Sequence, residues 1–216
     1  MAARMIRAGL LCGLIAPVLW AAVIVIAGEL RPGFDQAGQY ISELGERGSP
    51  TAAIMRYGGF VTTGLMHVAF AAAFYAVVAR SSARPRLTLL VATLVALDGI
   101  GRVGAGFFAC EPGCEAPGNP VQQLHSLFAT MAFLAIAAAA CLGALLFKRD
   151  KRLRGLSTYS LVSGCAGLIF LAMLSASEAT RAHAGLYERL ASGVLTLWVF
   201  VIAARLRMLD ERPAAG

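Results

Sequence analysis

"IRAGLLCGLIAPVLWAAVIVIAG", residues 6–28, carries a single charge, Arg7, at its second position. Apolar side chains surround the whole helix, so no polar stripe is left to face water. At 1.5 Å per residue the stretch reaches roughly 34 Å, enough to cross a ~30 Å hydrocarbon layer. A core helix of a soluble domain would be amphipathic, so this stretch predicts a membrane span. A basic N-terminus followed by an apolar run also describes a cleaved secretory signal. This run is longer than a signal core. It ends in Glu29, Leu30, Arg31 and Pro32 rather than a small-residue cleavage site, so a retained helix is expected.

Five further apolar runs follow, approximately 53–79, 87–109, 122–147, 157–177 and 185–206. They are too long and too uniformly apolar for barrel strands, and helices satisfy their backbone polar groups internally in lipid. The expectation is an all-α integral membrane protein, a single domain over residues 1–216 built as a bundle of six transmembrane helices. Composition agrees. The chain is 58% hydrophobic and 14% charged, with mean hydropathy +0.71, whereas soluble domains carry about 25% charged residues. The longest connection, Glu29 to Ala52, leaves no room for a soluble domain. Asp210 to Gly216 reads as a frayed tail. No internal repeat is evident, which weighs against a transporter built on inverted repeats.

The net charge is +7 and the isoelectric point about 9.6. Thirteen of the nineteen Lys and Arg lie at the N-terminus, the second and fourth connections and the C-terminal end. Basic residues concentrate on cytoplasmic loops. Both termini are therefore expected in the cytoplasm and loops 1, 3 and 5 outside it. No basic stretch is interleaved with stacking aromatics, which excludes nucleic acid as a partner.

Eight of the twelve acidic residues fall on the outward side: Glu29, Asp35, Glu43, Glu46, Glu111, Glu115, Glu178 and Glu188. Topology does not require them there. The same side holds "GRVGAGFFACEPGCEAPGNPVQQLHS", Gly101 to Ser126. Cys110 and Cys114 fit a disulfide in an oxidising compartment. They also fit two ligands of a metal site with His125, which would need a further ligand, or two free thiols. Cys12, Cys141 and Cys165 lie within spans and read as small apolar packers.

Arg102 lies about 12 Å below Cys110 along its helix. An arginine at that depth faces a partner or a cavity. One reading is an internal ion pair with Asp98, four residues earlier. The other sends it outward to an anionic headgroup or to Glu43. His125 opens the fourth span, either as a capping group or as a general acid or base. His67, in mid-span, reads as a buried hydrogen-bonding group between helices. Around the last outward hairpin, "EATRAHAGLYERLAS" gathers Glu178, Arg181, His183, Glu188 and Arg189. Arg189 does not suit the first turn of a helix and calls for an acidic partner. Gly99, Gly101, Gly104 and Gly106 read as close-packing positions. HExxH, GxSxG and Walker A are absent, the glycines of the third span read as packing rather than as a nucleotide loop, and no cofactor is indicated.

The "YISELG…SP" element after the first helix, the arginine and Cys pair closing the third, the histidine opening the fourth and "GLYERL" opening the sixth resemble a bacterial membrane family. It is catalogued as domain of unknown function 998. The resemblance spans essentially the whole chain and implies six helices in a bacterial cytoplasmic (inner) membrane, with no established activity. Ile41, Ser42 and Glu43, with a polar residue opening the fourth helix, are also similar to the six-helix Frag–DRAM–Sfk group. That group is associated with lipid or GPI-anchor handling and autophagy. It has Asp at the place of Glu43, and it lacks the arginine and Cys pair.

These observations lead to an outward-facing polar pocket that binds a lipid-like or amphipathic molecule, with membrane lipids as partners and any protein partner unknown. Ser42, Glu43, Arg102, His125 and Arg189 are the expected ligand-binding residues, under a loop held by Cys110 and Cys114. The alternatives are a lipid hydrolase or transferase using His125 with Glu43 or Glu188, and a partner subunit or transporter. In the enzyme reading, Ser42 and Ser126 are the available hydroxyl nucleophiles.

Overall fold

The structure, a computed structural model, describes residues 1–116 and 118–210. Its long helices are α1 (Ala2–Glu29), α2 (Thr62–Val78), α3 (Pro85–Phe107), α4 (Pro120–Phe147), α5 (Ser157–Ser177) and α6 (Ala184–Asp210). A π-helical turn, Ile54–Val61, runs directly into α2, and short 3-10 turns occupy Ile41–Gly45, Pro112–Cys114 and Arg154–Leu156. Six helices are long and apolar enough to cross a membrane, and the described residues contain no strand.

The helix ends follow local chemistry. α3 and α4 open on Pro85 and Pro120, two residues before the apolar runs predict, because proline at the first helical position loses no hydrogen bond. Asn119 caps α4, its side chain accepting from the amides of Val121 at 2.8 Å and Gln122 at 3.3 Å. α6 runs past residue 206 to Asp210, which is helical rather than part of a tail. Its carboxylate takes Arg80 at 3.2 Å and Arg7 at 3.9 Å, tying the two chain ends to the second connection. Residues 211–216 lie outside the described residues.

Consecutive helices pack side by side, and α6 returns against α1, closing a ring. Small residues set the tightest contact. A Cβ added to Gly64 of α2 would lie 2.5 Å from the carbonyl oxygen of Gly99 in α3, and one on Gly99 would lie equally close to that of Gly64. Only glycine permits backbones this near. At the end that carries the termini, Phe70, Phe74, Phe147 and Trp198 fill the centre with Leu10 and Ile202. Under the opposite loops, Trp20, Ile41, Leu44, Met55 and Phe60 form a second core. A polar layer of His67, Asp98 and Arg102 separates the two.

α5 is the least buried helix. Its buried face is small in the half near the termini, where Ser160, Ser163, Gly164 and Gly167 let it press against α4 and α6. Beyond Gly167 that face carries Leu171, Leu174 and Glu178 instead. These side chains line a cleft that opens between α5 and α4 toward the loops.

Candidate functional site

The cleft has a volume of about 1190 Å³ and lies between the loop-end halves of α4 and α5. Its roof is polar: Tyr40, Ser42, Gln122, His125, Glu178 and Glu188 face it. Its walls are apolar, with Leu127, Phe133, Leu134, Leu171 and Leu174. Leu127 and Leu134 are 62% and 51% exposed on the outside of the bundle, so the apolar wall continues onto the outer surface. A second, narrow cavity of about 30 Å³, room for roughly one water, leads inward. It shares Ser42, His125, Ala129, Phe133 and Glu188 with the cleft and ends at Trp20, Asp98, Arg102 and Ser192.

The inner end is a hydrogen-bonded charge cluster built across three helices. Arg102 Nε donates to Asp98 Oδ1 at 3.0 Å, and His67 Nδ1 donates to Asp98 Oδ2. All three residues are buried. The Arg102 guanidinium lies 4.7 Å from the centre of the Trp20 ring, whose indole N–H donates to Ser192 Oγ at 2.8 Å. The pairing reading of Arg102 is therefore the one the geometry realises. Glu43 is not among its partners. His67 sits eleven residues before the end of α2 and Asp98 thirteen after the start of α3, so the hairpin places them at one depth. Arg102 still faces the inner cavity.

His125 caps the neighbouring helix. Its Nδ1 donates to the carbonyls of Phe108 at 2.7 Å and Ala105 at 3.1 Å, two of the last carbonyls of α3. Arg56 takes those of Gly106 at 2.9 Å and Phe107 at 3.0 Å. With Nδ1 committed as a donor, Nε2 is the nitrogen of the neutral ring able to accept. Neither Ser42 nor Ser126 is hydrogen-bonded to His125. Ser42 Oγ lies 3.3 Å from Cys114 Sγ, and Ser126 Oγ accepts from Gln122 at 3.2 Å. The described residues therefore hold no assembled hydroxyl–histidine pair.

Glu43 and Arg189 line neither cavity. The Glu43 carboxylate is taken up by the Tyr40 amide at 2.9 Å, Gln39 at 2.8 Å and Arg181 at 3.0 Å. Arg189 donates to Gln36 at 2.9 Å and to the carbonyls of Gln39 and Gly185, both at 2.9 Å. Its partners are thus amides rather than the acid its position called for. Both residues fasten the first connection over the bundle.

Arg181, absent from the expected set, is the centre of that fastening. It reaches Glu115 at 2.8 Å, Glu43 at 3.0 Å and the Gly113 carbonyl, and it covers the Tyr40 ring at 4.2 Å. Burial works against its charge, but the Glu115 hydrogen bond and the carboxylates of Glu43 and Glu115 outweigh it, so its pKa is raised further. Burial likewise holds the Tyr40 phenol above its usual value, against a weaker opposing pull from Arg181. Tyr40 is therefore a neutral hydroxyl in the cleft roof. Glu46 completes the clamp, accepting from Arg31 at 2.7 Å and from the Gly113 amide at 2.6 Å.

Cys110 and Cys114 lie at disulfide distance, with Cα atoms 5.0 Å apart. They also form, with His125, the one His, Cys, Asp and Glu group among the described residues compact enough for a metal ion. The two chemistries exclude each other, because a bonded pair of sulfurs offers no thiolate. Alkylation of the denatured, unreduced protein is expected to modify three cysteines, Cys12, Cys141 and Cys165, and all five after reduction. Five modified without reductant would assign the pair as thiols and return the metal reading.

Six helices long and apolar enough to cross a membrane, with a cleft of polar roof and apolar walls between α4 and α5, define a multi-pass membrane protein. Residues 14–205 match the family described as "Protein of unknown function (DUF998)". The match covers most of the chain, and the protein belongs to that family. No curated protein and no solved structure matches it.

Proposed function

We propose that this protein binds an amphipathic, lipid-like molecule, with the tail between α4 and α5 and the headgroup under the loops. The observation that carries the reading is the composition of the cleft. One end offers hydroxyl, carboxamide, imidazole and carboxylate groups, and the other offers leucines and a phenylalanine continuous with the outer surface. Ligand sites commonly pair an apolar lining with a few converging polar groups. His125, Ser42 and Glu188 then meet the headgroup, and Arg102 forms the far wall of the inner cavity. The loop clamp built by Arg181, Glu43 and Glu46 holds the roof in place. The distribution of Lys and Arg supports placing this end outside a bacterial cytoplasmic membrane, with both termini inside.

A photoreactive phenylalanine analogue at Leu171, in the cleft, is expected to capture one adduct of defined mass. The same group at Ile15, 48% exposed on the outer face of α1, is expected to capture a mixture of bulk lipids. An identical mixture at both positions would show that the cleft selects nothing.

A further inference from the structure

This inference rests on the cleft being a binding site and concerns what it binds. No Lys or Arg lines the cleft among the described residues. Arg102, in the inner cavity, is already matched by Asp98. The acids are less evenly matched. Glu115 is paired with Arg181. Glu188 is 9% exposed, lines both cavities and has no cation within ion-pair distance among the described residues. Its one hydrogen bond comes from the Ile41 amide at 2.6 Å. Of the two nearby guanidinium groups, Arg181 is engaged on Glu43 and Glu115, while Arg189 donates to Gln36 and backbone carbonyls, keeps one buried Nη without a partner and lines neither cavity. Glu178, exposed at the rim of the same roof, adds a second carboxylate.

A buried carboxylate with one hydrogen bond and no cation at ion-pair distance is costly to keep ionised. A ligand that brings the missing cation removes that cost. We propose that the cleft takes an amphiphile with a cationic, amine-type headgroup, seated against Glu188 with Glu178 at the rim. His125 Nε2, Ser42 and Tyr40 supply neutral hydrogen-bonding groups around it. An anionic headgroup would meet two carboxylates and, among the described residues, no Lys or Arg in the cleft lining.

The test uses three probes with one dodecyl chain: dodecylamine, dodecyl phosphate and dodecyl maltoside. Binding to the full-length protein is measured by native mass spectrometry after exchange into a detergent of different mass. Dodecylamine is expected to bind about tenfold tighter than the other two, as for a hydrogen bond to a charged group. Glu188→Gln, nearly equal in shape, is expected to remove that preference while leaving tail binding in place. Equal binding of all three probes, each blocked by Ala129→Phe in the cleft wall, would overturn the headgroup assignment and leave the cleft reading standing. So would a preference for the phosphate. Binding of every probe that Ala129→Phe does not alter would overturn the cleft reading itself. Should Glu188→Gln fail to fold, Glu178→Gln serves instead, with a weakened amine preference expected and an unchanged one contrary to the proposal.

Discussion

Asp98→Ala is expected to destabilise the protein by on the order of 3–5 kcal/mol, the usual consequence of removing one partner from a buried ion pair. Asp98 is, among the described residues, the one acid bonded to both Arg102 and His67. Without it, the guanidinium of Arg102 is left in the bundle against the Trp20 ring with no counter-charge bonded to it among the described residues. Chemical unfolding in detergent, followed by circular dichroism, measures the loss. The double variant Asp98→Ala with Arg102→Met is expected to recover much of it, because the charge and its counter-charge leave together. A wild-type unfolding midpoint for Asp98→Ala alone would mean that the polar layer does not hold α2, α3 and α1 in register.

The second large effect is on occupancy. Ala129 is shared by the cleft and the inner cavity and lies half-buried on α4. Ala129→Phe puts a ring into the space where the two meet. Its face is already partly open, so the fold is expected to absorb the ring with a small change in unfolding midpoint. The fraction of chains carrying a bound amphiphile is expected to fall from near complete to near zero.

Much of the fold was legible because lipid imposes one rule on every span: an apolar run of sufficient length, closed on its own hydrogen bonds. That rule gave six helices without any pairing information. It could not give the π-helical turn at Ile54–Val61, from which Arg56 donates to the Gly106 carbonyl at the end of α3. The candidate site was legible in part. His125, Ser42, Glu188 and Arg102 stood out as polar groups beside apolar runs, and all four line a cavity. Glu43 and Arg189 stood out equally but lie in the loop clamp, because a charge in a connection can face the bundle or its neighbours and spacing alone does not say which. Arg181 was passed over for the same reason. The cleft itself was invisible, since its width depends on how α4 and α5 pack against each other, which the apolar run of neither helix specifies. The equal depth of His67 and Asp98 was readable in the hairpin arithmetic, and a count from the second connection would have paired them.

The most direct test of the central claim is native mass spectrometry of gently solubilised protein, wild type beside Ala129→Phe. The account predicts one discrete additional mass per wild-type chain, resistant to detergent exchange and lost in the variant. A bare wild-type chain, or the same set of adducts on both proteins, would contradict it.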